Sequence, residues 1–177
     1  MLTARLKARC PSAAPVRVGM VRGRVLRWHK VSSDGSGKGN LPAGRQQDVA
    51  YGVIFEIEVS ERAALDEAEG LGRGYDAVEI VVDGDTGPVE CLAYLASDID
   101  DHRQPYDWYR RLALAGALEH GLPEFYVAQI AVVTTKVDRK PRRKSRLEAE
   151  RLLTDFLNQR PEHKHRLTGV HDDQALA

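Results

Sequence analysis

The chain has 177 residues, 42% of them apolar and 29% charged, which is enough apolar material for one globular core and excludes disorder along its whole length. Lys and Arg equal Asp and Glu at 26 each, so the composition gives no strong overall pull toward nucleic acid or an anionic membrane surface. The balance is uneven: from Lys136 onward eleven basic residues meet seven acidic ones, against fifteen and nineteen before it, a mildly acidic body with a basic end.

Taken in chain order, Leu2 and Leu6 stand four apart beside Arg5 and Arg9, an amphipathic helix that Pro11 ends because it has no N–H to continue it. Val16, Val18, Val21 and Val25, with Gly19 and Gly23 among them, predict one long bent strand or two short ones up to His29. Residues 32–40 are rich in Ser, Asp, Gly and Asn and predict a loop able to line a site. Tyr51, Val53, Phe55, Ile57 and Val59 alternate with Gly52, Glu56 and Glu58, the period of a half-buried strand. Ser60 is placed to cap the helix that follows. Its buried stripe is Ala64, Leu65 and Ala68, and Gly70 supplies the left-handed stop, so Glu69 is its last residue.

Tyr75–Val82 and Val89–Leu95 read as strands around a Gly-rich hairpin turn, giving four or five strands, mostly antiparallel by connection length. Tyr109, Leu112, Ala113, Gly116 and Ala117 share one face of a helix from Tyr106 to Leu118. Pro123 opens another through Val127 and Ile130, and both helices are expected to pack on the sheet. After Val133 the composition turns basic, so the compact domain is set at 1–134. Residues 135–177 are read as a basic linker, a short amphipathic helix begun by a Ser145/Glu148 capping box, and a disordered tail beyond Pro161. Cys10 and Cys91 lack any metal-ligand spacing and are expected as reduced thiols. No apolar run has signal-peptide or membrane-span length, so a cytoplasmic protein that does not enter membranes is expected.

Glu69 is the residue whose position suggests chemistry. It ends a helix beside a glycine turn, where the backbone dipole and nearby Asp66 and Glu67 oppose its negative charge. A general base and a solvated acidic helix end both fit that pattern.

Several segments follow one another in an order that resembles the gamma-glutamylcyclotransferase family. They are Leu2-Thr3-Ala4-Arg5-Leu6 with Pro11-Ser12-Ala13, then Gly52-Val53-Ile54-Phe55, then Leu65-Asp66-Glu67-Ala68-Glu69-Gly70, then Tyr109 with Gly116-Ala117 and Gly121-Leu122-Pro123. The Asp34-Gly35-Ser36-Gly37-Lys38 loop and Arg103-Gln104-Pro105-Tyr106 are similar to the bacterial branch. The resemblance implies an α/β (α+β) fold, a small mixed, partly closed β-barrel flanked by helices. It implies release of an amino acid or amine from a gamma-glutamyl compound with formation of 5-oxoproline, as in glutathione metabolism. Glu69 is then the general acid/base, Tyr109, Tyr75 and Gly70 contact the substrate, and neither a cofactor nor a metal is required. The family's Tyr-Gly-Ser-Asn turn, whose backbone N–H groups serve the oxyanion and the α-carboxylate, would lie ahead of Met1. The start is therefore read as internal to a longer reading frame, and the 177-residue chain expressed as written is expected to be poorly stable and inactive. A catalytically inactive scaffold of the same fold is the alternative.

Three weaker signals lead elsewhere. Gly35-Ser36-Gly37-Lys38 lacks the spacing and the following Ser or Thr of a phosphate-binding P-loop. The six histidines show no ligand pattern. Seven basic residues between Lys136 and Arg146, with no interleaved aromatics, are read as a solvated linker in preference to a surface for nucleic acid or an acidic partner.

Overall fold

Residues 1–168 are described by the computed structural model, beginning with α1 (Thr3–Lys7), whose Leu6 is buried as the leucine spacing requires. Six strands follow: β1 (Ala14–Arg22), β2 (Arg27–Val31), β3 (Gly37–Asn40), β4 (Val49–Glu56), β5 (Tyr75–Val82) and β6 (Val89–Ala96). They pair antiparallel as β1 with β4, β2 with β3 and β5 with β6. Parallel pairing is confined to single bridges, Leu71 with Tyr75 and Tyr106 with Lys136. Met20 and Asp83 exchange two backbone hydrogen bonds of 2.8 Å, tying β1 to the end of β5. The Ala96 amide donates to Asn40 Oδ1 at 2.9 Å, tying β6 to β3.

Between β4 and β5 stands α2 (Arg62–Glu69); α3 (Asp107–Glu119), α4 (Glu124–Ala131), α5 (Lys144–Gln159) and α6 (Lys164–Thr168) follow the strands. Leu112, Leu114 and Ala115 of α3, Val127 and Ile130 of α4, Leu152, Leu153 and Phe156 of α5, and Leu167 of α6 form one buried cluster. Val18, Leu26, Trp28, Tyr51 and Val53 pack against it from the strands, which produces the expected α+β layering. Each large side chain removed from water here contributes roughly 1.5–3 kcal/mol. Leu6, Cys10 and Ala13 make a second, smaller cluster with Phe55, Ile57 and Leu65. The alternating face of β4 is thus divided, Tyr51 and Val53 to the first cluster and Phe55 to the second.

Several expectations need correction. Gly37–Asn40 is a strand and not loop, because the Gly-rich segment lies so close to β2 that a Cβ on Gly37 would meet the Trp28 carbonyl oxygen at 1.9 Å. Ser60 does not cap α2: residues Val59–Glu61 form a 3-10 turn, and the turn is pinned by Glu61 accepting hydrogen bonds from the Ser12 amide and hydroxyl. Ala64 and Ala68 are exposed, and Leu65 alone of that stripe packs inward. The expected break after residue 134 is bridged by packing. The 16-residue α5 starts before Ser145 and buries Ala149, Leu152, Leu153 and Phe156 in the main cluster.

The basic stretch leading to α5 is a built turn. Asp138, 6% exposed, accepts from Trp108 Nε1, the Lys140 amide and two nitrogens of Arg143, and Arg146 reaches its backbone carbonyl. Residues Pro161–His163 form a further 3-10 turn, and Leu167 beyond it is buried, so the chain past Pro161 is folded as far as Thr168. The remainder of the tail, 169–177, lies outside the described residues.

Candidate active site

Glu69 occupies the last position of α2, where the sequence puts it, and Gly70 turns the chain away with φ 78°. That left-handed conformation is open to glycine without steric cost, and the Gly70 and Leu71 amides close the helix end by donating to Asp66 O. Gly70 does not line the cavity described below; it sets the direction in which Glu69 leaves the helix. Asp66 points elsewhere, accepting from Arg62 at 2.9 Å and from the Tyr94 hydroxyl at 2.5 Å. The group facing Glu69 is a cation: Arg9 donates to Glu69 Oε1 at 2.5 Å, with the two side chains 22% and 19% exposed.

This pair borders a cavity of about 420 Å³ between the strands and α3, whose wall also carries Arg5, Lys38, Tyr75 and Tyr109. The volume lies within the range of small-molecule sites, roughly 300–1,000 Å³. Trp28, Leu26 and Leu112 give it an apolar floor.

The two tyrosines grip the same peptide of β3 in opposite senses. Tyr75 donates its hydroxyl to the Gly39 carbonyl at 2.8 Å, whereas the Tyr109 hydroxyl accepts from the Gly39 amide at 3.2 Å. Burial pushes both phenols well above their ordinary pKa, so each stays protonated at neutral pH. The proton of Tyr75 is committed; that of Tyr109 has no acceptor among the described residues.

Lys38 crosses the wall from β3. Its ammonium donates to Asp34 at 2.8 Å and Ser36 Oγ at 2.9 Å and lies 4.6 and 4.8 Å from the ring centroids of Tyr109 and Trp108. Burial lowers its pKa against the pull of Asp34. The Asp34–Lys38 segment therefore closes on itself and leads into a strand, in keeping with the absence of a P-loop pattern. Asn40, also on the wall, accepts the Leu41 and Ala96 amides through Oδ1 and donates Nδ2 to His29 Nε2 at 3.0 Å; His29 in turn bonds Asp101 at 2.7 Å.

The wall formed by α1 is held by α3. Thr3 donates its amide to Glu119 at 2.7 Å, and Gly116 permits the contact, since a Cβ there would stand 2.6 Å from the Leu2 nitrogen. Arg5 and Arg9, Lys38 and Asn40 were not singled out from sequence as site residues. Spacing gave one usable signal: Arg5 and Arg9 are four apart beside the buried Leu2 and Leu6, although α1 ends at Lys7 and Arg9 stands in the turn after it. Among the described residues no three of His, Cys, Asp or Glu converge as a metal-holding group, and no helix is long and apolar enough to cross a membrane.

Residues 49–130, which include Glu69, Tyr75 and Tyr109, match the model of the AIG2-like family. The mouse gamma-glutamylcyclotransferase is 28% identical over 148 residues, covering 75% of this chain and 73% of the mouse protein. The human gamma-glutamylcyclotransferase is 30% identical over 88 residues, covering 49% of this chain and 46% of the human protein. Over three quarters of its length the chain is similar to a gamma-glutamylcyclotransferase. The likeness extends to three dimensions. A solved gamma-glutamyl cyclotransferase superposes with a TM-score of 0.78 at 24% identity over 87% of this chain and 92% of its own, and an uncharacterized human protein with 0.73 at 25% identity over 86% and 92%. The family match contains α2, β5 and α3 of the cavity wall, while α1 and β3 lie ahead of it.

Proposed function

We propose that the protein is a cyclotransferase that releases an amino acid or amine from a gamma-glutamyl compound and forms 5-oxoproline, with Glu69 as the acid/base group. One observation carries this reading: Glu69, the residue that the family resemblance implies as acid/base, borders a cavity of about 420 Å³ together with Tyr109. In the reaction Glu69 takes a proton from the α-ammonium of the substrate. The freed nitrogen pair attacks the γ-carbonyl carbon, the ring nitrogen gives up a second proton to the leaving nitrogen as the bond from the carbon to that nitrogen breaks, and Glu69 returns the first proton to the same amine, so that a neutral lactam and an ammonium leave and Glu69 is again a carboxylate.

Nucleophile and electrophile belong to one molecule, so the cavity acts chiefly by holding it folded, an effect worth roughly 7 kcal/mol or more at best. The proton transfers add on the order of a hundredfold to ten-thousandfold. Arg9 fixes the Glu69 carboxylate, Tyr75 fixes the Gly39 peptide, and Tyr109 offers its unused hydroxyl proton to the bound substrate.

The test is product analysis with protein expressed from the complete open reading frame, offered gamma-glutamyl amino acids and gamma-glutamylamines. The expected products are 5-oxoproline and the free leaving amine in equal amounts. Glutamate in place of 5-oxoproline means hydrolysis and contradicts the reading, as does the absence of any cleavage.

A further inference from the structure

Three cationic side chains line the Glu69 cavity, beside the Met1 α-ammonium, and their partners differ. Arg9 is paired with Glu69 and Lys38 with Asp34. Arg5 has no carboxylate and no side-chain hydrogen bond among the described residues, and its Nε is buried without a partner. Its guanidinium carbon lies 5.8 Å from the ring centroid of Tyr109, the residue whose hydroxyl proton is also unused. Arg111, the other arginine with a buried unpartnered Nε, differs in that it reaches Asp107 at 3.7 Å and does not line the cavity.

A half-buried guanidinium with an unpartnered Nε is costly, and desolvation does pull the pKa of Arg5 below its ordinary value, though an arginine stays charged. The planar fork of five N–H donors suits a carboxylate. Arg5 lies in α1 and Arg9 in the turn just after it, both on the cavity wall, so an anion at Arg5 shares that wall with the carboxylate that Arg9 holds. In a gamma-glutamyl compound the α-carboxylate and the reacting α-amine share one carbon. An amine at Glu69 therefore places its carboxylate within reach of the neighbouring cation.

We propose that Arg5 is the anchor for the α-carboxylate of the ligand, the residue that orients the glutamyl moiety so that its amine meets Glu69. This rests on the cyclotransferase reading and names a side chain, in addition to backbone donors, for recognition of that carboxylate. Arg5 keeps its cavity cation whether or not catalysis follows, so binding is the direct readout.

The experiment uses protein from the complete open reading frame titrated with 5-oxoproline and with 2-pyrrolidinone, the same lactam without the carboxylate, followed by NMR chemical shifts. Wild type binds 5-oxoproline more tightly, by on the order of tenfold to a hundredfold. Arg5→Met, of similar length and without the charge, binds both lactams alike, and Arg5→Lys retains part of the preference. A shift map confined to the cavity in each variant shows that the fold is kept. Retention of the wild-type preference by Arg5→Met overturns the assignment, and so does equal binding of the two lactams by wild type; either leaves the cyclotransferase reading standing. Wild type that binds neither lactam contradicts that reading itself, and with it the role of Arg5.

Discussion

Tyr75 and Tyr109 look equivalent as buried aromatic residues, yet their hydrogen bonds run in opposite directions and so do the consequences of removing them. Tyr75→Phe loses one donor to the Gly39 carbonyl and should cost about 1 kcal/mol of stability with little change in catalysis. Tyr109→Phe strands the Gly39 amide, at about 1–3 kcal/mol, and also removes the proton offered to the substrate. Its kcat/KM for 5-oxoproline release should therefore fall by roughly tenfold or more while that of Tyr75→Phe stays within about threefold, a contrast that steady-state kinetics and thermal melts resolve together. The place of Glu69 at the end of α2 was legible from Gly70 because helix stops are local. Its partner Arg9 was not, because that contact spans 60 residues and forms only when α1 docks on α3. Of the like-charged neighbours that sequence suggested for Glu69, Asp66 is drawn off by Arg62 and Tyr94, a rearrangement no local pattern announces.

Elements were readable where their own periodicity fixed them. The bounds of β5 and β6 follow from β-branched runs around a glycine turn, and α4 from Pro123 standing just before it. α5 was readable as a helix but not as part of the core, because basic residues around Asp138 mask a turn whose anchors, Trp108 and Arg143, come from both sides of it. Leu153 is 1% exposed, and Leu153→Ala should cost about 2–5 kcal/mol by urea unfolding; a loss below 1 kcal/mol would return α5 to the status of an appendage.

The same junction has an acid signature. Hydrogen bonding from Arg143 holds the Asp138 carboxyl down at about 2, against about 3.9 in an unfolded chain. A depressed carboxyl stabilises the fold above its unfolded pKa and loses that contribution as pH falls toward the folded value. Stability should therefore drop by about 2 kcal/mol between roughly pH 5 and pH 2 from this group, and Asp138→Asn should remove that component of the pH dependence while lowering stability at neutral pH.

Across the whole molecule, the cavity draws on α1, β3, α2, β5 and α3, so no one segment carries it and only their order in the chain hinted at it. That is why a fold shared at TM-scores of 0.78 and 0.73 coexists with sequence identities of 24% and 25%. The charge division seen in the sequence takes physical form at the turn before α5. Lys136, Arg143 and Arg146 are engaged by Gly35 O, Asp138 and Glu150, which leaves Arg139, Lys140, Arg142 and Lys144 facing solvent and outside the lining of the Glu69 cavity. The catalytic reading consequently stands or falls on the cavity alone. Its most direct test compares wild type with Glu69→Gln in protein from the complete open reading frame, measuring substrate binding and single-turnover release of 5-oxoproline on the same samples. The account predicts binding within about threefold of wild type and release slowed at least about a hundredfold. Release by Glu69→Gln at the wild-type rate would contradict it.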